Sequence, residues 1–319
     1  MNLISRRLFL SLLPAAFRQP CAAAPRAAAG VQHYQANAVV LLLGMPVYRR
    51  KDVGGAWLRV KESAGAAYEE VTLQFAAGSI PARAAGLNRL GYIEEEVRIH
   101  ASGKRVVKYF GVMTASKEES FEEARRALSK EGSEQQVFVA MRGEIDKSTV
   151  RNCTAKVAFD QPLGWPHVDQ LAGKCRESLA SMRASEIAAN SPMTFLHALS
   201  QTMRGEGIEP VLFLHSGKPY VLRTRVRRDG KAGQDFQHRG MVTNADAVNT
   251  LDGSIHAATP DGKPGAQTAA FQVWYAREGS ETRTLRFDLK PRSFLRLSFE
   301  LRCTRESSQE QRRAVPDAD

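Results

Sequence analysis

The sequence predicts an α+β protein, antiparallel and β-rich, built as two sheets or as a curved half-barrel with a helical insert. Three observations carry that expectation. From Leu285 the apolar Leu285, Phe287 and Leu289 alternate with Arg286, Asp288 and Lys290, and after Pro291 the same pattern resumes with Leu295, Leu297, Phe299 and Leu301 against Arg296, Ser298, Glu300 and Arg302. Successive side chains of a strand point to opposite faces, so these are two half-buried strands. Phe271 to Arg277, rich in aromatic and β-branched residues and stopped by Glu278-Gly279-Ser280, makes them a three-stranded meander with one oily and one charged face. Turn residues also punctuate the first third at hairpin spacing, and helical periodicity is confined to the middle of the chain.

Taken in order, Val39 to Leu43 is a continuous apolar run suited to a buried strand, and Gly44, Pro46 and Asp52-Val53-Gly54-Gly55 read as turns. Trp57 to Lys61 and Tyr68 to Phe75 are strands, Ala76 to Leu90 a loop, and Tyr92 to His100 with Arg105 to Met113 a hairpin about Ser102-Gly103-Lys104. Ser116 and Glu119 have the spacing of a capping box before the stripe Phe121, Ala124 and Leu128, which predicts a helix. Gln136 to Arg142 and Thr149 to Phe159 return to strand. Pro162-Leu163-Gly164-Trp165-Pro166 is the best internal boundary, followed by a helix from His167 to Ser185 and another opened by Ser191-Pro192 and closed at Gly205. Pro210 to Leu214 and Tyr220 to Arg227 are strands, and Thr243 to Thr268, rich in Asp, Asn and Gly, is expected to be loop with at most a short strand. The organisation is therefore a leader (1–29), a β-rich region with one helix (30–160), a helical segment (161–207), a C-terminal β region (208–303) and a frayed tail (304–319).

The leader speaks most directly to function. Ser5-Arg6-Arg7-Leu8-Phe9-Leu10 precedes an apolar run to Phe17 and a small-residue stretch ending Ala27-Ala28-Ala29, the pattern of an export signal. The twin arginine resembles the twin-arginine signal, although Ser11 stands where that pattern has lysine. The run from Leu8 to Phe17 is about half of the ~20 residues needed to span a bilayer, so a processed chain is expected in the periplasm or outside the cell and not across the membrane. Net charge is +11; Arg6, Arg7, Arg18 and Arg26 lie in the acid-free residues 1–29, so removing them leaves +7. A basic surface of that size favours anionic partners. Beyond Cys21 three cysteines remain: in an oxidising space Cys153–Cys175 is the most plausible bridge, and three buried reduced thiols is the equal alternative.

No metal site is expected, because no cysteine pair has Cys-x-x-Cys spacing and no two histidines fall in a His-Glu-x-x-His or His-x-His arrangement. Nothing calls for a cofactor, although a twin-arginine passenger folded around one stays open as a third reading. His167, Asp169 and His215 are the residues on which a secreted hydrolase without a recognisable motif would rest. The pattern with physical content is Arg223, Arg225 and Arg227, which at period two share one face of a strand while Leu222, Thr224 and Val226 share the other. Arg228 and Lys231 extend the patch toward Gly230. Guanidiniums at this spacing bind phosphates or carboxylates, and the bland alternative is a solvated sheet face balanced by acids. Export and the lack of interleaved aromatic residues argue against nucleic acid.

The stretch Gly217-Lys218-Pro219-Tyr220-Val221-Leu222, the segment around Arg239-Gly240-Met241, and Val273-Trp274-Tyr275 leading into Leu285-Arg286-Phe287 resemble the exported bacterial domain of unknown function 3108. The likeness covers about Glu209 to Arg302. It departs from the family at Arg283-Thr284-Leu285, which lacks the proline of an Arg-x-Pro step. It implies a periplasmic β-rich protein and supplies no catalytic residues. The residues together favour a binding protein over an enzyme: an exported envelope protein holding an anionic lipid, amphiphile or cell-wall polymer in an apolar groove rimmed by arginine.

Overall fold

The computed structural model describes residues 31–42, 45–64, 68–84, 88–102, 104–115, 136–147, 149–159, 163, 165–188, 193–205, 211–215, 218–259, 261–278, 281–292 and 295–302. The expected leader and tail, the helix expected from Ser116, the cap at Ser191 and Cys303 lie outside them. The strands are β1 (Val31–Leu42), β2 (Met45–Ala64), β3 (Tyr68–Ser79), β4 (Leu90–His100), β5 (Arg105–Thr114), β6 (Gln136–Asp146), β7 (Thr149–Phe159), β8 (Ser185–Ala188), β9 (Val211–His215), β10 (Lys218–Arg228), β11 (Val248–Ala258), β12 (Pro264–Glu278), β13 (Glu281–Arg292) and β14 (Leu295–Leu301). Among the described residues three α-helices join them: α1 (Val168–Ala180), α2 (Phe195–Arg204) and α3 (Gly230–His238).

All fourteen strands form one sheet in the order β8-β7-β6-β5-β4-β3-β2-β1-β14-β13-β12-β11-β10-β9. Every neighbour is also a neighbour in sequence except at the seam, where β1 pairs antiparallel with β14 from Tyr34↔Leu301 to Val40↔Leu295. Two meanders are thus joined by the first and last strands, so neither wing gains its second edge until both have been made.

The sheet is rolled, and its side chains show how tightly. On β3 and β13 the rings of Phe75 and Phe287 touch at 5.4 Å, although the two strands are four spacings apart in the sheet order, ~19 Å if it were flat. Tyr34 packs edge-on to Phe287 at 5.6 Å, and Phe287 stacks on Phe299 at 4.4 Å. The face carrying these rings is the inside of the roll. By alternation the charged residues of the same strands, Arg286, Asp288 and Glu300 among them, are outside. From Phe287 to Leu301 the oily and charged faces of the closing meander are therefore as the alternation predicts, whereas a register shift between Trp274 and Tyr275 turns Leu285 to the outside; of the two arrangements expected, the curved single sheet is the one formed.

Helices cover both faces. Outside, Val168, Leu171, Ala172, Cys175 and Leu179 of α1 are buried in one cluster with Tyr92, Phe110, Val112, Phe138 and Ala140. Arg176 of α1 lies 4.4 Å over the Phe110 ring and bonds Glu94 at 2.8 Å. Also outside, Phe236 of α3 joins Met241, Val242, Val248 and Leu285. Inside lies α2, with Leu199 and Met203 against Leu251, Val273 and Phe271.

Several expectations are corrected. The helix from His167 stops at Ala180 and β8 begins at Ser185, pairing with β7 as an edge strand. The second helix has Thr194 as its N-cap and ends, as expected, at Gly205, whose left-handed φ of 77° suits glycine. Thr243 to Thr268 is not loop: Val248–Ala258 is a full strand paired on both sides, with Asp252 on its outer face, Asn249 on its inner face opposite Tyr275, and Gly253 under a ring. β3 also continues to Ser79, four residues beyond Phe75. Asp229, accepting the Ala232 amide, caps α3, a helix that the sequence does not predict. Cys153 and Cys175 belong to one apolar cluster as buried free thiols, and burial raises the Cys175 thiol to about 11.

Candidate functional site

Two polar constellations stand out against this frame, one inside the roll and one outside. The inner one is built on Glu95. In the run Glu94-Glu95-Glu96 the middle carboxylate shares the inner face of β4 with Val97, and it is only 2% exposed. It accepts the Thr194 hydroxyl at 2.6 Å and the amides of Leu196 and His197 at 2.8 Å each, and so occupies the open amide end of α2. Three donors favour its ionised form, but burial outweighs them and raises the carboxyl to about 7. His197 is pushed the other way, to about 4, by burial and then by Arg105 and Arg204; Arg105 approaches its ring at 3.5 Å.

The same helical turn touches the other wing. Phe195 packs on Phe213 of β9 at 5.5 Å and on Phe271 of β12 at 5.8 Å. Yet β4 and β9 are nine strand spacings apart in the sheet order. Residues 194–197 therefore bridge the mouth of the roll, closing it between β4 and β9 while β5 to β8 continue past β4. What the apolar interior holds, among the described residues, is the protein's own side chains and α2.

The outer constellation is the arginine row of β10. Arg223, Arg225 and Arg227 are exposed on the outer face, with Leu222 fully buried on the other. Arg227 is held between Asp229 at 3.2 Å and Asp252 at 3.3 Å. Arg228, on the opposite side of the strand by alternation, meets Asp246 at 3.5 Å instead of extending the row. Arg223, Arg225 and Lys231 make no ion pair among the described residues. β9 stops opposite Leu222, so from Arg223 onward β10 has a single strand partner among the described residues.

The expected groove rimmed by arginine is not what this geometry makes, because the arginines and the apolar interior lie back to back across one sheet. Of the residues on which a hydrolase would rest, His167 and Asp169 are exposed at the start of α1, and the side chain of His215 is outside the described set. Sequence reasoning missed Glu95. The signal was available in the alternation itself, since Ile93, Glu95, Val97 and Ile99 share a face and a carboxylate in an apolar row requires a partner.

The fold and these surfaces define a β-rich class: one rolled antiparallel sheet. No catalogued family matches the chain, so the likeness to domain of unknown function 3108 gains nothing from that comparison, and no curated protein matches. Among solved structures the chain is similar to a beta-barrel-like protein of domain of unknown function DUF1849 from Brucella abortus, with a TM-score of 0.41 and 7% identity over 85% of this chain and 96% of that one.

Proposed function

We propose that the protein is exported and acts in the envelope as a non-enzymatic binder of an anionic polymer, taken along the outer face of β10. The observation that carries this reading is the pair Arg223 and Arg225, neighbours on one exposed face, without ion pairs among the described residues. Arg227, fixed by two aspartates, sets the end of the row, and Lys231 follows in the chain on α3. Guanidiniums pre-arranged at strand spacing suit a chain of repeated phosphates or carboxylates.

The test is fluorescence anisotropy of labelled polyphosphate against the wild-type chain and R223S/R225S at two salt concentrations. Binding that weakens with salt and falls roughly 10-fold in the variant supports the reading. Equal binding by both proteins, or none, overturns it. A second reading rests on the single strand partner that β10 has from Arg223 onward among the described residues: charged residues on an edge prevent strand-to-strand association. That reading alone predicts that R223S/R225S forms aggregates detectable by light scattering without any loss of polymer binding.

A further inference from the structure

We propose that the tip of the β1–β2 hairpin is a docking element for the surface of an anionic lipid bilayer. β3 pairs with β2 only from Gly54 onward, where Gly54 faces Ser79. The first residues of β2 therefore run past the end of β3, with β1 as their partner from Met45↔Leu42 to Arg50↔Ala38. On this projection Met45, Val47 and Tyr48 are 63%, 56% and 56% exposed, the three most exposed of the large apolar side chains among the described residues. Single exposed apolar residues are ordinary, but three within four positions at the end of a projecting ribbon form a patch. The register shifts here: Met45 pairs with Leu42 and Tyr48 with Val40, two residues on one face of β1, so Met45 and Tyr48 share a side and Val47 is the extra residue of the bulge between them.

Charge decides what such an end meets. Arg49, Arg50 and Lys51 follow directly, and the segment from Leu41 to Lys51 contains no acid. Pairing of Val40 with Leu295 and of Val39 with Arg296 sets the β13–β14 hairpin alongside; Leu289 to Leu297 is also free of acid and adds Lys290, while Arg296 is held by Asp288 at 3.8 Å. The nearest acid, Asp52, is already taken by Arg83 and Arg302. An apolar tip with a tyrosine, collared by cations, complements the boundary between acyl chains and anionic headgroups. Each basic side chain near such a surface strengthens binding about 5-fold. The inference does not depend on the β10 arginines, which lie on a different part of the sheet.

The test is co-sedimentation of the chain from Gly30 onward, which keeps all fourteen strands, with vesicles of phosphatidylglycerol and phosphatidylethanolamine and with vesicles of phosphatidylcholine alone. The expected result is binding to the first, weakened by salt, and little to the second. V47S/Y48S and R49S/R50S/K51S should each reduce it roughly 10-fold or more, with unchanged circular dichroism because all these residues sit outside the core, whereas R223S/R225S should leave it unchanged. Binding that is equal on both vesicles, absent, insensitive to the tip variants, or lost in R223S/R225S overturns the inference.

Discussion

The carboxylate of Glu95 and the hydroxyl of Thr194 meet at 2.6 Å across the mouth of the rolled sheet. Glu95 also takes two α2 amides, so one side chain on β4 fixes the helix that reaches β9. The carboxyl is raised from 4.5 to about 7 and His197 is lowered from 6.5 to about 4. A raised acid stabilises the fold fully below 4.5 and loses that contribution as pH climbs to about 7. A lowered histidine does the reverse, its contribution being lost as pH falls from 6.5 toward 4. Each is worth about 3 kcal/mol, and between pH 4.5 and 6.5 the two slopes oppose each other. Urea unfolding of Glu95→Gln should therefore show stability rising with pH over that window relative to wild type, and His197→Asn should show it falling. Parallel pH profiles for the three proteins would contradict the assignment.

Phe287 tests the roll itself, because its ring touches residues from β1, β3 and β14 at once. Phe287→Ala removes one stacked and two edge-on contacts and should destabilise by about 3 kcal/mol in equilibrium unfolding. A flat sheet, in which Phe75 and Tyr34 are out of reach, would give a much smaller loss.

Gly253 of β11 lies under Phe271, and a Cβ there would stand 2.2 Å from the ring. Phe271 in turn supports Phe195 of α2. Gly253→Ala should cost about 2 kcal/mol, and amide exchange should quicken in α2 as well as in β11. Exchange confined to β11 would show that the ring does not transmit the strain.

Cys153 and Cys175 should be unreactive toward a thiol reagent at pH 8 in the folded protein, being 5% and 0% exposed. Denaturation should release two further thiols. An unchanged count, with a mass lowered by two hydrogens, would instead mean that the pair is bridged.

Much of this architecture is legible in the sequence because period two is a local property. Phe287 to Leu301 declares its faces without any partner, whereas Leu285 is turned outward by the register shift between Trp274 and Tyr275. Three features escape that logic. Val248–Ala258 carries Asn249, Asp252 and Gly253, which locally favour turns; it is a strand because β10 and β12 pair with it on both sides. α3 depends on Asp229 accepting the Ala232 amide at 3.1 Å, a cap that the adjacent Gly230 disguises. The arginine row is correctly placed on one face, but its relation to the apolar interior depends on which way the sheet curls, and no local pattern encodes that. The same holds for Arg49 to Lys51: Pro46, Gly54 and Gly55 suggest turns, whereas the long pairing of β1 with β2 makes this stretch a projecting strand.

The central claim is that recognition occurs on the outer face of β10 and not inside the roll. Phenylglyoxal labelling of arginines, read residue by residue by mass spectrometry with and without polyphosphate, tests it most directly. The account predicts protection of Arg223 and Arg225 well above that of Arg227, which Asp229 and Asp252 already hold. Protection spread evenly over the exposed arginines, or concentrated at Arg105 and Arg204 beside α2, would contradict it.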